Sequence, residues 1–151
     1  MAMNKKILAF VFDGKKFLAL RNSSKDPSHG GDFWFVVTGS LEKGENEEEA
    51  VKREVLEETN LNVKEIFDLN WGSVYSWNKE NHQEKNFIAF VGKGNLKLNE
   101  EHAGYLWLSL DAFIKKIKWG SDLNELKQAL EKGINKELFF KMQKIKDFRI
   151  K

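Results

Sequence analysis

The stretch from Gly39 to Leu61, GSLEKGENEEEAVKREVLEETNL, constrains this chain more than any other. It sets Glu54, Glu57 and Glu58 beside Arg53. Spacings of three and four residues bring side chains onto one face of an α-helix, so the three carboxylates form a single cluster there. Like charges so placed weaken a helix that has no counter-charge. A solvated acidic face is the ordinary reading of such a helix, and two features point elsewhere. The helix is signalled at both ends. Asn46 with Glu49 is a variant capping box, and Glu47, Glu48 and Glu49 suit the positive end of the dipole. Asn60 can take the left-handed conformation that ends a helix. The helix is also entered through a glycine-containing loop, 37–45, able to turn backbone groups toward the same cluster. Hard divalent cations such as Mg²⁺ take oxygen ligands, commonly carboxylates with substrate phosphates and water. A metal site and a solvated face both remain open from these residues alone.

The spacing resembles a known motif. Gly39, five residues, Glu45, seven residues, Arg53-Glu54-Val55, one residue, Glu57-Glu58, one residue, Asn60-Leu61 is similar to the Nudix box, matching every specified position but one. The departure is Asn60 where the box has Gly. Asn is the next-best residue for that backbone conformation, so a slightly less stable turn and intact chemistry are expected.

Bulk properties frame this reading. A chain of 151 residues is long enough for one domain with a core, and 41% hydrophobic and 13% aromatic content indicate a globular protein. Having no cysteine, it has no disulfide, thiolate metal site or cysteine nucleophile. No apolar run approaches a membrane span and no secretory leader is evident, so a cytoplasmic protein without membrane contact is expected. A net charge of +2 gives little support to a stable nucleic-acid partner. Residues 40–66 are mainly acidic and 115–151 mainly basic. That fits a cation beside a phosphate-binding surface, and equally fits two amphipathic regions with solvated faces.

Along the chain, Ile7–Phe12 and Lys16–Leu20 flank Asp13-Gly14, a hairpin signal. Residues 22–32 form a loop holding the only proline, and His29 is a residue of that loop rather than a ligand. Phe33–Val37 is a strand feeding the Gly39 loop. Val51 and Val55 face the core, with Ala50 allowing close packing. Val63–Trp71 and Phe87–Val91 are strands, and 72–84 between them is a mobile loop. Its Trp77 is a candidate for stacking on a base or pterin ring, while Trp71 and Tyr75 pack the loop down. Asp111 caps a short helix to Ile117, Ser121-Asp122 caps Leu123–Lys132, Gly133 stops that helix, and Glu137–Lys146 is a further helix with Leu138, Phe139, Met142 and Ile145 along one side.

Two further segments resemble one branch of the Nudix family, the bacterial dihydroneopterin triphosphate pyrophosphatases. These are Asp32-Phe33-Trp34 with Val36-Val37-Thr38-Gly39-Ser40, and Glu101-His102 with Tyr105, Trp107 and Leu108. The resemblance implies an α/β fold, the Nudix α/β/α sandwich with a mixed β-sheet, over roughly 5–130, in a single domain spanning 1–151. It implies a pyrophosphohydrolase using Mg²⁺ or Mn²⁺, with water attacking phosphorus of a nucleoside or pterin triphosphate or other nucleoside diphosphate derivative. Glu54, Glu57, Glu58 and Glu101 become the metal ligands, joined by a backbone group at Gly39. Glu54 is either ligand or proton acceptor, and Arg53 orients Glu57. Thr38 contacts substrate. Arg21 either reaches its phosphates or is a solvent-facing strand-end residue. The partner is a small nucleotide-like molecule, and the protein a monomer or homodimer. Alternatives are a dinucleoside polyphosphate hydrolase, an RNA 5′-end pyrophosphohydrolase, and a catalytically silent nucleotide-binding module.

Overall fold

The computed structural model describes residues 3–22 and 32–149. The expected 22–32 loop, His29 included, falls outside them except for Asn22 and Asp32. The elements run β1 (Asn4–Phe12), β2 (Phe17–Asn22), β3 (Trp34–Phe35), β4 (Val37–Ser40), α1 (Glu47–Thr59), β5 (Val63–Trp77), β6 (Glu80–Val91), β7 (His102–Leu108), α2 (Leu110–Lys116), α3 (Leu123–Gly133) and β8 (Lys144–Asp147). They form one mixed sheet in the order β3-β2-β1-β6-β5-β8, with β4 beside β1 and β7 beside β2. The pairs β1/β6 and β5/β8 are parallel and the others antiparallel.

Strand β1 explains the layering. Its residues alternate between two cores: Ile7, Ala9 and Val11 meet Ala50, Val51 and Val55 of α1, while Leu8, Phe10 and Phe12 meet Phe113, Leu126 and Leu130 of α2 and α3. A strand covered on both faces reads as a nearly continuous apolar run. The expected sandwich is therefore present, with α1 on one face and α2 and α3 on the other.

Five local expectations change. Phe33–Val37 is two strands, because Leu20 and Arg21 of β2 hold Trp34 and Phe35 while β1 holds Val37 onward. Gly39 thus lies in a strand rather than a loop. The segment 72–84 is an ordered hairpin, not a mobile loop: β5 and β6 pair to Trp77↔Glu80 around Asn78 and Lys79, both at positive φ (51° and 62°). Two such residues make a turn whose twist matches its strands. The cap of α2 is Ser109, with extended backbone, and Asp111 sits inside the first turn, paired with Lys127 at 2.9 Å. Gly133 belongs to α3; a Cβ there would stand 2.6 Å from Ile88 and 2.8 Å from Leu69, so close packing on the sheet accounts for it.

The last change is the largest. Residues 137–146 form no helix; β8 instead pairs with the outer edge of β5, from Trp71↔Lys144 to Val74↔Asp147. Asn70 Nδ2 donates to the Phe140 carbonyl at 2.9 Å, Phe139 and Phe140 pack on the core, and Met142 is left 84% exposed. Backbone groups on an open sheet edge need partners, and supplying them outweighs the helical spacing.

Candidate active site

The acidic helix is locally determined. Asn46 Oδ1 accepts from the Glu49 amide at 2.8 Å, and the Asn46 amide donates back to Glu49 Oε1 at 3.0 Å. At the other end Asn60 is left-handed (φ 66°), and its amide donates to the Leu56 carbonyl at 2.8 Å. Its side chain adds a tertiary bond, Nδ2 to the Asn95 carbonyl at 3.0 Å.

Arg53 is the missing counter-charge. It donates to Glu45 through Nε at 2.7 Å and Nη2 at 2.9 Å. It also reaches Glu54 at 2.7 Å, the Ser40 carbonyl at 2.9 Å and Glu57 at 3.3 Å. The contact expected to orient Glu57 is the longest of these, and the fork on Glu45 is the geometrically strongest. Those hydrogen bonds, with one from the Glu42 amide, hold the Glu45 carboxyl down to about 2. Glu45 thereby fixes Arg53 across the loop that leads from β4 into α1.

Glu58 lies beneath this network. It is buried, and its Oε1 is 2.6 Å from His102 Nε2. Its Oε2 is buried with no donor among the described residues. Burial first, then the adjoining Glu54 carboxyl, then the charges of Glu101 and Glu57, push the Glu58 carboxyl well above the usual range. Burial lowers the His102 ring against the charge of Glu101. One ligand atom each from Glu58, Glu101 and His102 lie within 4.8 Å of one another. A crowded, mostly oxygen donor set with a buried oxygen lacking a donor fits a hard divalent cation, which relieves the repulsion that otherwise calls for a proton. His102 holds Glu58 as a ligand's outer partner does.

Gly39 runs against this cluster: a Cβ there would overlap the Glu54 carboxylate. Thr38, its neighbour, is paired with Leu8 and so shares the opposite face of the sheet. On that face Leu8, Phe35, Trp71, Tyr75 and Trp119 line a cavity of about 300 Å³. The acidic cluster and the cavity thus lie on opposite faces of the sheet. Arg21, at the end of β2, is already engaged by Asp32 at 2.6 and 3.0 Å and is exposed. Trp77 stands near the hairpin tip, 54% exposed, with its ring tilted on His82.

Glu54, Glu57, Glu58, Arg53, Glu101 and Gly39 are therefore brought together. Thr38 faces the other side of the sheet, the Arg21 backbone lies beside His102 while its side chain turns to Asp32, and Trp77 sits at the hairpin tip. The sequence reading gave no role to His102 or Glu45. Glu45 stood in the matched spacing, and His102 directly follows Glu101, but the bond from His102 to a helix 44 positions earlier is a tertiary fact.

A profile of the NUDIX domain matches residues 4–130. The NAD-capped RNA hydrolase NudC of Actinobacillus succinogenes is 33% identical over 96 residues, covering 63% of this chain and 35% of that protein. The dihydroneopterin triphosphate diphosphatase of Haemophilus influenzae is 26% identical over 143 residues, covering 84% and 87%. The chain thus spans about a third of the length of the first of these relatives. Among solved structures, a Caenorhabditis elegans Ap4A hydrolase superposes with a TM-score of 0.70 at 22% identity, covering 88% of this chain and 98% of that one. The Escherichia coli dihydroneopterin triphosphate pyrophosphohydrolase gives 0.63 at 24%, covering 89% and 99%.

Proposed function

The chain belongs to the Nudix family, and on that premise we propose that it is a divalent-metal-dependent pyrophosphohydrolase of nucleotide derivatives, cleaving a nucleoside or pterin triphosphate by attack of water on phosphorus. The observation that carries the reading is the convergence of Glu58, Glu101 and His102 within 4.8 Å beneath Glu54. Glu54, Glu57, Glu58 and Glu101 would hold Mg²⁺ or Mn²⁺, with the Gly39 backbone alongside. When bound, such ions neutralise diphosphate oxygens and acidify the attacking water. Arg53 keeps Glu54 and Glu57 in place from the far side, and His102 fixes the Glu58 carboxylate. Glu54 serves as a further ligand or takes the proton of the water. Thr38 meets the substrate where it passes from the acidic face to the cavity. A single domain over 1–151 is supported by Phe139 and Phe140, which pack on the core, and by 144–147, which pair with β5. No helix among the described residues is long and apolar enough to cross a membrane.

The test is a turnover panel with Mg²⁺, Mn²⁺ or EDTA, containing nucleoside triphosphates, dihydroneopterin triphosphate, diadenosine polyphosphates, NADH and NAD-capped RNA. Metal-dependent release of pyrophosphate from a triphosphate is expected. Turnover confined to diadenosine polyphosphates or to capped RNA would replace the triphosphate reading with a polyphosphate or RNA-end hydrolase. Saturable binding without turnover of any compound would leave a silent module.

A further inference from the structure

The cavity across β4 has walls of one kind and a floor of another. Trp71, Trp119, Tyr75 and Phe35 supply flat apolar sides, and Phe148 closes the outer edge. Flat sides of this kind suit a planar heterocycle. Phe148 follows β8 and lies beyond residue 130, where the family match ends. Polar groups are few. Glu84 and Asn86 come from alternate positions of β6, on the face of the sheet shared with Ile88. The Trp119 indole N–H is buried and has no acceptor among the described residues.

Glu84 is the chemically unusual member. Burial pushes its carboxyl up to about 7, opposed by the charge of Lys6, which lies opposite it on β1. Burial, and after it the Glu84 charge, raise the neighbouring Tyr75 hydroxyl. Of the other basic groups lining the cavity, Lys146 donates to Ser121 Oγ at 2.9 Å and pairs with Glu125, and Lys118 is exposed. Glu84 is half-buried, lines the cavity and has no ion-pair partner among the described residues, and a ligand that supplies donors would offset what its partial burial costs.

Resting on the hydrolase reading above, we propose that Glu84 selects the substrate's ring, accepting two adjacent N–H donors from a guanine-type edge, the amino group beside a ring N–H that guanine and pterins share. A carboxylate accepts a pair of parallel N–H bonds. Adenine and cytosine present one donor beside an acceptor on the corresponding edge, so one Glu84 oxygen would face a lone pair. The aromatic side of the cavity then borders the ring, and the phosphates lead round the edge of the sheet toward Glu54 and Glu57.

The experiment is equilibrium binding to the full chain in Mg²⁺, followed by tryptophan quenching and calorimetry, with GMP, neopterin, AMP and CMP as probes. None of these has a phosphoanhydride bond, so binding is read without turnover. The wild type is expected to bind GMP and neopterin at least about tenfold more tightly than AMP or CMP, and Glu84→Gln to lose about tenfold on the first pair alone. A tighter GMP than neopterin assigns a nucleotide substrate, and the reverse a pterin. Equal affinities in the wild type, or an unchanged GMP-to-AMP ratio in a folded Glu84→Gln protein, overturn the assignment. Glu57→Gln separates the two readings. If the wild type turns over nothing that Glu57→Gln fails to turn over, while the Glu84-dependent ratio stands, only the hydrolase reading falls. If turnover depends on Glu57 and the ratio is flat, only the role of Glu84 falls.

Discussion

On one face of the sheet, α1 holds its carboxylates in a network where Arg53 reaches Glu54 and Glu57, along with Glu45 of the preceding loop, and His102 reaches Glu58. On the other, the aromatic cavity holds a single acid, Glu84, with no such clamp among the described residues. Both hold carboxyl groups in place, yet by different means. The α1 cluster is built from residues close in sequence and stabilised by charge-assisted hydrogen bonds, so its groups are fixed in position. The cavity is assembled from β1, β3, β5, β6, β8 and the turn after α2, and its acid is fixed by packing alone.

The sharpest way to break this contrast is Glu57→Gln. Turnover should fall at least about 10²-fold, since the proposed site loses one of its metal-holding carboxylates. At 54% exposure the side chain contributes little to folding, so the melting temperature should hardly move. Near-wild-type rates would sink the site assignment.

Gly72→Ala probes the cavity side. A Cβ at Gly72 would overlap the Glu84 carbonyl oxygen and stand 3.1 Å from Lys85 Cα, both backbone atoms that cannot rotate away. Destabilisation of about 2 kcal/mol is expected, within the range for overpacking. A denaturation midpoint equal to the wild type's would mean the hairpin has slack that the structure does not show.

Arg53→Ala removes the clamp on the other side. Loss of charge-assisted bonds at a site 19% exposed should cost about 2 kcal/mol, with turnover falling as well because Glu54 and Glu57 lose their support. Stability lost without any effect on turnover would separate the clamp from the chemistry.

The pH dependence of folding distinguishes the two acids by sign. Glu45 is held down to about 2 by Arg53, so its contribution is present above its ordinary 4.5 and is lost as pH falls toward 2. Glu84 is pushed up to about 7, so its contribution is complete below 4.5 and is lost as pH rises through 7. Thermal melts of Glu84→Gln should therefore gain on the wild type between pH 5 and about 8. A constant difference across that window would show that Glu84 ionises normally in the folded chain.

The smallest expected effect is at Asn60. From sequence alone Asn60→Gly should stabilise modestly by relieving a left-handed residue. The structure adds the bond from its side chain to the Asn95 carbonyl, which Gly would forfeit. The two effects oppose, and a melting temperature within a degree or two of the wild type, with unchanged turnover, is expected. A large drop would make the tether to residue 95 the principal role of Asn60.

What the sequence determined by itself is the α1 unit. The Asn46 cap, the left-handed Asn60, the inward Val51 and Val55 and the clustering of Glu54, Glu57 and Glu58 all follow from interactions between near neighbours, where spacing is geometry. The hairpin at Asp13-Gly14 is legible for the same reason. Only the tertiary structure decided the rest. That 72–84 is a strand pair and 144–147 a strand depends on a neighbouring edge with unsatisfied backbone groups, and the helical spacing of Leu138, Met142 and Ile145 carries no sign of that edge. Glu84 looked like a loop acid until its partner strand turned it among the aromatic rings, and His102 had no role until β7 carried it to Glu58. Local pattern fixes which groups a helix presents. Which of them are buried, and against what, is settled by strands distant in sequence that close over them.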